Sequence, residues 1–258
     1  MNWKILLLGL VLATATLTGC ESDRAKTPGV MPQGARQNPN LHPERPLTPG
    51  EIITRAAAQP PAPLPGDGWQ SLFDGATLTG WKLSGFGGAG EVECRQGLLL
   101  CGMGDLFTGV TCTNPVPTMN YEITLDAMRV MGSDFFCGLT FPVRDSYCSL
   151  IVGGWGGSLV GLSSLDDEDA SQNETTQFIG FENGRWYRIR VRVSETKIEA
   201  WIEQKKVVNV LTTGRKLSLR PGEIERSKPL GLATWVTSAA FRELKLRRVD
   251  GPAEVGEP

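Results

Sequence analysis

A chain of 258 residues with a formal net charge of −2 has room for one large all-β domain or two small ones, and it lacks the basic footprint of a nucleic-acid binder. Thirty-one Gly and seven Trp against three Tyr fit a turn-rich sheet protein. The single histidine, His42, falls in a linker-like stretch, so acid–base chemistry in the folded part falls to carboxylates rather than imidazole.

Residues 1–19 read as a signal peptide, with Lys4 as the charged start and an apolar run from Ile5 to Leu17 that is short for a membrane span. The run ends in Leu17-Thr18-Gly19-Cys20, which resembles the bacterial lipobox. That resemblance implies lipidation of Cys20 and anchoring through several acyl chains. Glu21 in place of Asp implies the outer membrane or cell surface. The expected partners are thus a membrane, met through this N-terminal lipid, and no nucleic acid. Residues 20–66 hold ten of the seventeen prolines and read as a semi-extended linker. Within it, Thr48-Pro49-Gly50-Glu51 has the form of a capping box opening a short helix over Ile52–Ala58.

The sheet domain is expected over 67–250, followed by a disordered tail at 251–258. Asp74-Gly75 is a turn signal between Trp69 and Trp81. Glu91–Cys94 and Leu98–Met103 flank Gln96-Gly97 as a hairpin, and Asn120–Val130 alternates as a half-buried strand. Phe135–Phe141 and Ser146–Val152 form the next hairpin around Pro142–Asp145. In a register that sets Cys137 opposite Cys148, one face is apolar and a cross-strand disulfide becomes available. Cys94–Cys101 is a second pairing, and unpaired core thiols are the alternative to both. In Trp186–Val193, Tyr187, Ile189, Val191 and Val193 share one face and three arginines the other. Pairing Val193 with Ile198 sets Arg192 by Glu199 and Arg190 by Trp201. Phe241 is out of step with Leu244 and Leu246, which predicts a bulge. Many short strands without a long helix predict a jelly-roll sandwich of two antiparallel sheets.

The run Gly68-Trp69-Gln70-Ser71-Leu72-Phe73-Asp74-Gly75-Ala76-Thr77-Leu78-Thr79-Gly80-Trp81 resembles the opening signature of the 3-keto-disaccharide hydrolase-like domains. Pro229-Leu230-Gly231-Leu232 and Ala240–Leu246 resemble that family's closing strands. The resemblance implies a concanavalin-like sandwich and cleavage of glycosides oxidised at C3. A carbonyl at C3 acidifies the C2 hydrogen, so such cleavage needs a base and an electrophilic stabiliser. Residues 132–141 depart from the family pattern, which keeps a non-catalytic glycan- or protein-binding module as the alternative.

Asp134 and Asp145 are the nominated catalytic bases. Trp155 and Trp201, with Arg144 and Arg190, are the nominated sugar contacts, since aromatic faces stack on sugar rings and charged groups meet hydroxyls. The acidic run containing Asp166, Asp167 and Asp169 offers oxygen ligands for calcium; no other cofactor is expected. With no Cys-x-x-Cys pair and no histidine in the domain, a zinc site is not expected.

Overall fold

The computed structural model describes residues 45–249. The expected signal peptide at 1–19, the expected lipidation site Cys20 and the expected tail at 251–258 lie outside these residues. No helix among the described residues is long and apolar enough to cross a membrane. In chain order the elements are α1 (Pro49–Ala57), β1 (Gln70–Ser71), β2 (Trp81–Leu83), β3 (Val92–Arg95), β4 (Leu98–Cys101), β5 (Phe107–Cys112), β6 (Tyr121–Gly132), β7 (Cys137–Val143), β8 (Ser146–Gly154), β9 (Leu159–Ser163), β10 (Gln177–Phe178), β11 (Trp186–Val193), β12 (Lys197–Ile202) and β13 (Lys205–Leu211). A 3-10 turn at Glu223–Ser227 precedes β14 (Gly231–Trp235) and β15 (Thr237–Arg248).

The strands build two antiparallel sheets, as the sequence predicts. The first runs β13-β12-β11-β6-β15-β4-β3, with β1 also on β15; the second runs β10-β9-β8-β7-β14-β5-β2. Their inner faces close one core. Ile123, Leu125, Ile189, Val191 and Phe241 from the first sheet meet Leu139, Phe141, Leu150, Val152 and Leu232 from the second. The alternation of arginine with Val and Ile in β11 sets the β11–β12 register as expected, with Val193 opposite Ile198, Arg192 opposite Glu199 and Arg190 opposite Trp201. The expected bulge in β15 is present: the register shifts between Arg242 and Lys245, which turns both Phe241 and Leu244 into the core.

The opening signature is scaffold. Asp74 accepts from the N–H groups of Ala76 (2.8 Å) and Thr77 (2.7 Å) through Oδ1 and from the Thr77 hydroxyl (2.6 Å) through Oδ2, while Gly75 takes a φ of +78°. Those bonds hold the Asp74 carboxyl below the usual carboxylate range. Trp81 is buried and donates its indole N–H to Leu72 O at 2.7 Å. Every polar group of this turn serves the turn itself.

Two expectations are corrected. The first concerns the linker, because the described chain from Pro46 onward belongs to the same compact unit as the sandwich. Helix α1 forms with its full capping box, Thr48 receiving Glu51 N and Glu51 receiving Thr48 N. Its Ile52, Ile53 and Ala56 then cover Leu98, Leu100, Met128 and Ala240 on the outer face of the first sheet. Beyond the helix, the proline-rich strand is tied down by arginines. Arg188 donates to Ala62 O (2.8 Å) and Pro63 O (3.2 Å), Arg242 donates to Gln59 O, and Arg247 donates to Pro65 O (3.4 Å). These arginines are set in place by buried carboxylates: Asp126 binds Arg188 (2.6 Å) and Arg242 (3.3 Å), and Glu122 binds Arg247 (2.7 Å). Residues 46–66 are therefore a docked strap, because the sheet satisfies backbone carbonyls that the proline-rich composition leaves unpaired.

The second correction is the disulfide. Strand β7 runs on through Pro142 and Val143, so the turn is only Arg144-Asp145, with Arg144 at a φ of +54°. Pro142 is tolerated because β14 pairs with β7 only as far as Thr140. Cys137 then faces Val152, and Cys148 faces Phe141. A four-residue offset is about 13 Å along a strand, beyond the reach of a disulfide. Cys94 faces Leu99 rather than Cys101, and all five described cysteines are free thiols.

Candidate functional site

The outer face of the second sheet carries a cleft of about 420 Å³, within the usual range for small-molecule sites. Side chains that alternate away from the core supply its floor: Ser149 and Ile151 from β8, Ser163 from β9, Phe107 from β5 and Trp235 from β14. Loops supply the walls. Asp134 and Phe135 come from the β6–β7 connection, Trp155 from the β8–β9 turn, and Arg220, Pro221, Glu223 and Ile224 from the segment before β14. Phe107 and Trp235 meet edge to face with ring centroids 4.6 Å apart, and Phe86 lies 5.1 Å from Phe107.

Trp155 is 44% exposed and sits at the tip of Gly153-Gly154-Trp155-Gly156-Gly157, at a φ of +48°. Two neighbours brace this turn. Asp134 accepts from Phe135 N (2.7 Å) through one oxygen and from Gly156 N (3.2 Å) through the other. Arg129, 5% exposed, donates to four acceptors: Asn183 Oδ1 (2.7 Å), Phe181 O (2.7 Å), Asp134 O (3.3 Å) and Gly157 O (3.4 Å). One guanidinium thus ties three loops to β6. At the opposite rim, Glu223 accepts from Gly87 N (3.1 Å) and pairs with Arg226 (3.3 Å), and Arg220 reaches Asp169 at 3.5 Å.

Of the residues nominated from sequence, the structure brings Asp134 and Trp155 together. Asp145 is an exposed turn residue outside the cleft lining. Its neighbour Arg144 braces loops through Glu195 O (2.5 Å) and Thr212 O (3.3 Å). Trp201 lies on the outer face of the other sheet, with the Arg190 guanidinium 4.0 Å and the Lys206 ammonium 5.1 Å from its ring centre. Arg190 also meets Glu122 at 3.7 Å. Trp201 and Arg190 are thus placed by stacking and charge pairing, and Asp145 and Arg144 by a turn and its loop contacts, all outside the cleft lining. The acidic run meets cations rather than converging: Asp166 (2.5 Å) and Glu174 (2.6 Å) bind Arg215, and Asp167 binds Lys216 (2.8 Å). Hydrogen bonds from Lys216 N and Arg215 hold Asp166 below the usual carboxylate range. Among the described residues no group of three His, Cys, Asp or Glu is placed to hold a metal, and Asp166, Asp167 and Asp169 each meet a cation instead.

Sequence reading missed Phe107, Phe135, Trp235, Arg220 and Glu223. The one available signal was parity. Trp235 follows Ala233 by two residues on β14 and must face outward if Leu232 faces the core.

A family model for the 3-keto-alpha-glucoside-1,2-lyase-like domain matches residues 68–247. The chain belongs to this family. The resemblance seen at both ends of the sandwich is thereby borne out, and the lyase-like domain begins where the docked strap ends. No curated protein matches the chain. Among solved structures, the lyase-like domain is similar to a candidate glycosyl hydrolase of Parabacteroides distasonis, with 14% identity over 71% of this chain and 94% of that one and a TM-score of 0.47. It is also similar to a carbohydrate binding module of Bacillus subtilis, with 12% identity over 65% of this chain and 95% of that one and a TM-score of 0.45. At such identities the likeness is one of fold.

Proposed function

We propose that the protein is a saccharide-binding member of its family, held at the bacterial cell envelope by lipid on Cys20, with the cleft on the second sheet as its ligand site. One observation carries this reading: an exposed tryptophan on a braced turn lines a cleft with Trp235 on its floor and Arg220 and Glu223 on its opposite wall. A rigid aromatic face beside charged hydrogen-bonding groups matches a sugar's apolar ring face and its hydroxyls. Cleavage of a 3-keto-glycoside is the second reading. It is favoured by the family's description and by Asp134 and Glu223 at the same cleft. Elimination would need one of them as a base, and each already accepts from a backbone N–H.

Calorimetry and turnover separate the two readings. The chain is titrated with 3-keto-α-glucosides while free sugar is followed. Saturable binding without product, lost in Trp155→Ala, is the expected result; product formation that disappears in Glu223→Gln would establish the catalytic reading instead. The anchor has its own test. Cys20→Ser should move the protein from the membrane fraction to the soluble one, and a variant that stays membrane-bound would refute lipidation.

A further inference from the structure

The cleft's polar inventory is small for a site that would bury a whole sugar. Ile151, Trp235 and Phe107 make the floor apolar, and Phe135 and Ile224 continue it up the walls; Ile151, Phe135 and Ile224 are each under a tenth exposed. The Ser149 hydroxyl already bonds Thr140 Oγ1 at 2.8 Å, and each Asp134 oxygen already accepts one backbone N–H, so both offer a ligand less than their full capacity. That leaves Ser163 as the one other hydroxyl on the floor. A pyranose carries several hydroxyls, and each one buried without a partner would oppose binding. The charged groups, Arg220 and Glu223, stand at the rim with the half-exposed Trp155.

We infer that the ligand is a glycoside with a flat aromatic aglycone, the aglycone lying on the apolar floor and the sugar at the charged rim against Trp155. This rests on the saccharide reading above and adds the chemical class of the group to which the sugar is joined. A benzene-sized ring transferred from water to such a floor is worth roughly 10- to 100-fold in affinity.

The test uses the full chain in a detergent without a sugar headgroup. Four probes are titrated by calorimetry: 4-nitrophenyl and methyl 3-keto-α-glucosides, 4-nitrophenyl α-glucoside, and 4-nitrophenol. The aryl keto-glucoside should bind about 10- to 100-fold more tightly than its methyl counterpart. Ile151→Asn and Trp235→Ala should each remove most of that aryl-over-methyl preference, read as the ratio of the two affinities within each variant. The wild-type ligand series decides the matter even if both variants fail to fold. Equal affinity for aryl and methyl compounds would overturn the aglycone inference and leave the saccharide reading standing. Binding of 4-nitrophenol as tight as its glucosides, or no binding of any probe, would overturn both.

Discussion

Arg129 makes the sharpest prediction for the fold and its cleft together. Replacing it with Met keeps the apolar stem on β6 and deletes the guanidinium. Two of its four hydrogen bonds, to Asn183 and Phe181, are 2.7 Å long, and the two to Asp134 and Gly157 are 3.3 and 3.4 Å. Hydrogen bonds from a charged donor are worth about 1.5–3 kcal/mol each, so the two short ones alone give a loss of about 3–6 kcal/mol. Burial also draws the Arg129 pKa down, so part of this gain offsets desolvation and the lower half of the range is expected. Urea unfolding followed by circular dichroism measures the loss. Arg129→Lys, which keeps the charge and can reach one or two acceptors, should recover part of it. The same variants should weaken ligand binding, because Gly157 and Asp134 are the anchors of the Trp155 turn. An Arg129→Met protein within about 1 kcal/mol of wild type would refute the claim that this side chain ties the loops to the sheet.

Two further predictions concern the buried charges and thiols. Asp126→Ala strands Arg188 and Arg242 and should cost about 3–5 kcal/mol; the strap should then be cut faster by protease between Gln59 and Gly66, and an unchanged cleavage rate would disprove its dependence on those arginines. Burial pushes Cys101 and Cys148 up to about 12 from an ordinary 9.0, and pushes Cys137 higher still. The unfolded thiols therefore lose protons near pH 9 while the folded ones keep theirs, so the thiols' contribution to stability should be flat below pH 9 and fall as pH rises toward 12. Cys148→Ala should lessen that fall in pH-dependent urea melts. A thiol reagent at pH 8 should reach Cys94 first among the described cysteines, since it alone is not buried.

The legible parts of the fold were those where one face of a strand carries a single chemistry. Strand β11 alternates arginine with Val and Ile, so one register satisfies both faces and a one-residue slip would bury three charges. Strand β7 has no such guard. Cys137, Leu139, Phe141 and Val143 share its core face, and sliding the partner strand by four residues keeps the same side chains inward, so alternation cannot choose between the two registers. Pro142 looks like a turn former until the shortness of β14 shows why a strand can hold it. The strap was illegible for a different reason. Its bonds run from side chains on the sheet to its own backbone carbonyls, and a carbonyl leaves no mark in the sequence. Of the cleft, Asp134 and Trp155 could be read because a carboxylate and a glycine-flanked tryptophan are conspicuous. Phe107, Trp235 and Glu223 come from strands and a turn far apart in the chain, and only the order of the second sheet brings them together.

Among the described residues, the sheet order above also leaves strands at open margins: β13, β3 and the two-residue β1 in the first sheet, β10 and β2 in the second. An open margin is a template on which another chain can grow a strand. Here β10 and β2 span two and three residues, too few for a stable ladder. The longer β13 opens with exposed Lys205 and Lys206, and β3 carries Glu93 and Arg95. A second copy approaching edge-on would meet too little backbone at β10 and β2 and like charge at β13, and those margins therefore resist growth into ribbons.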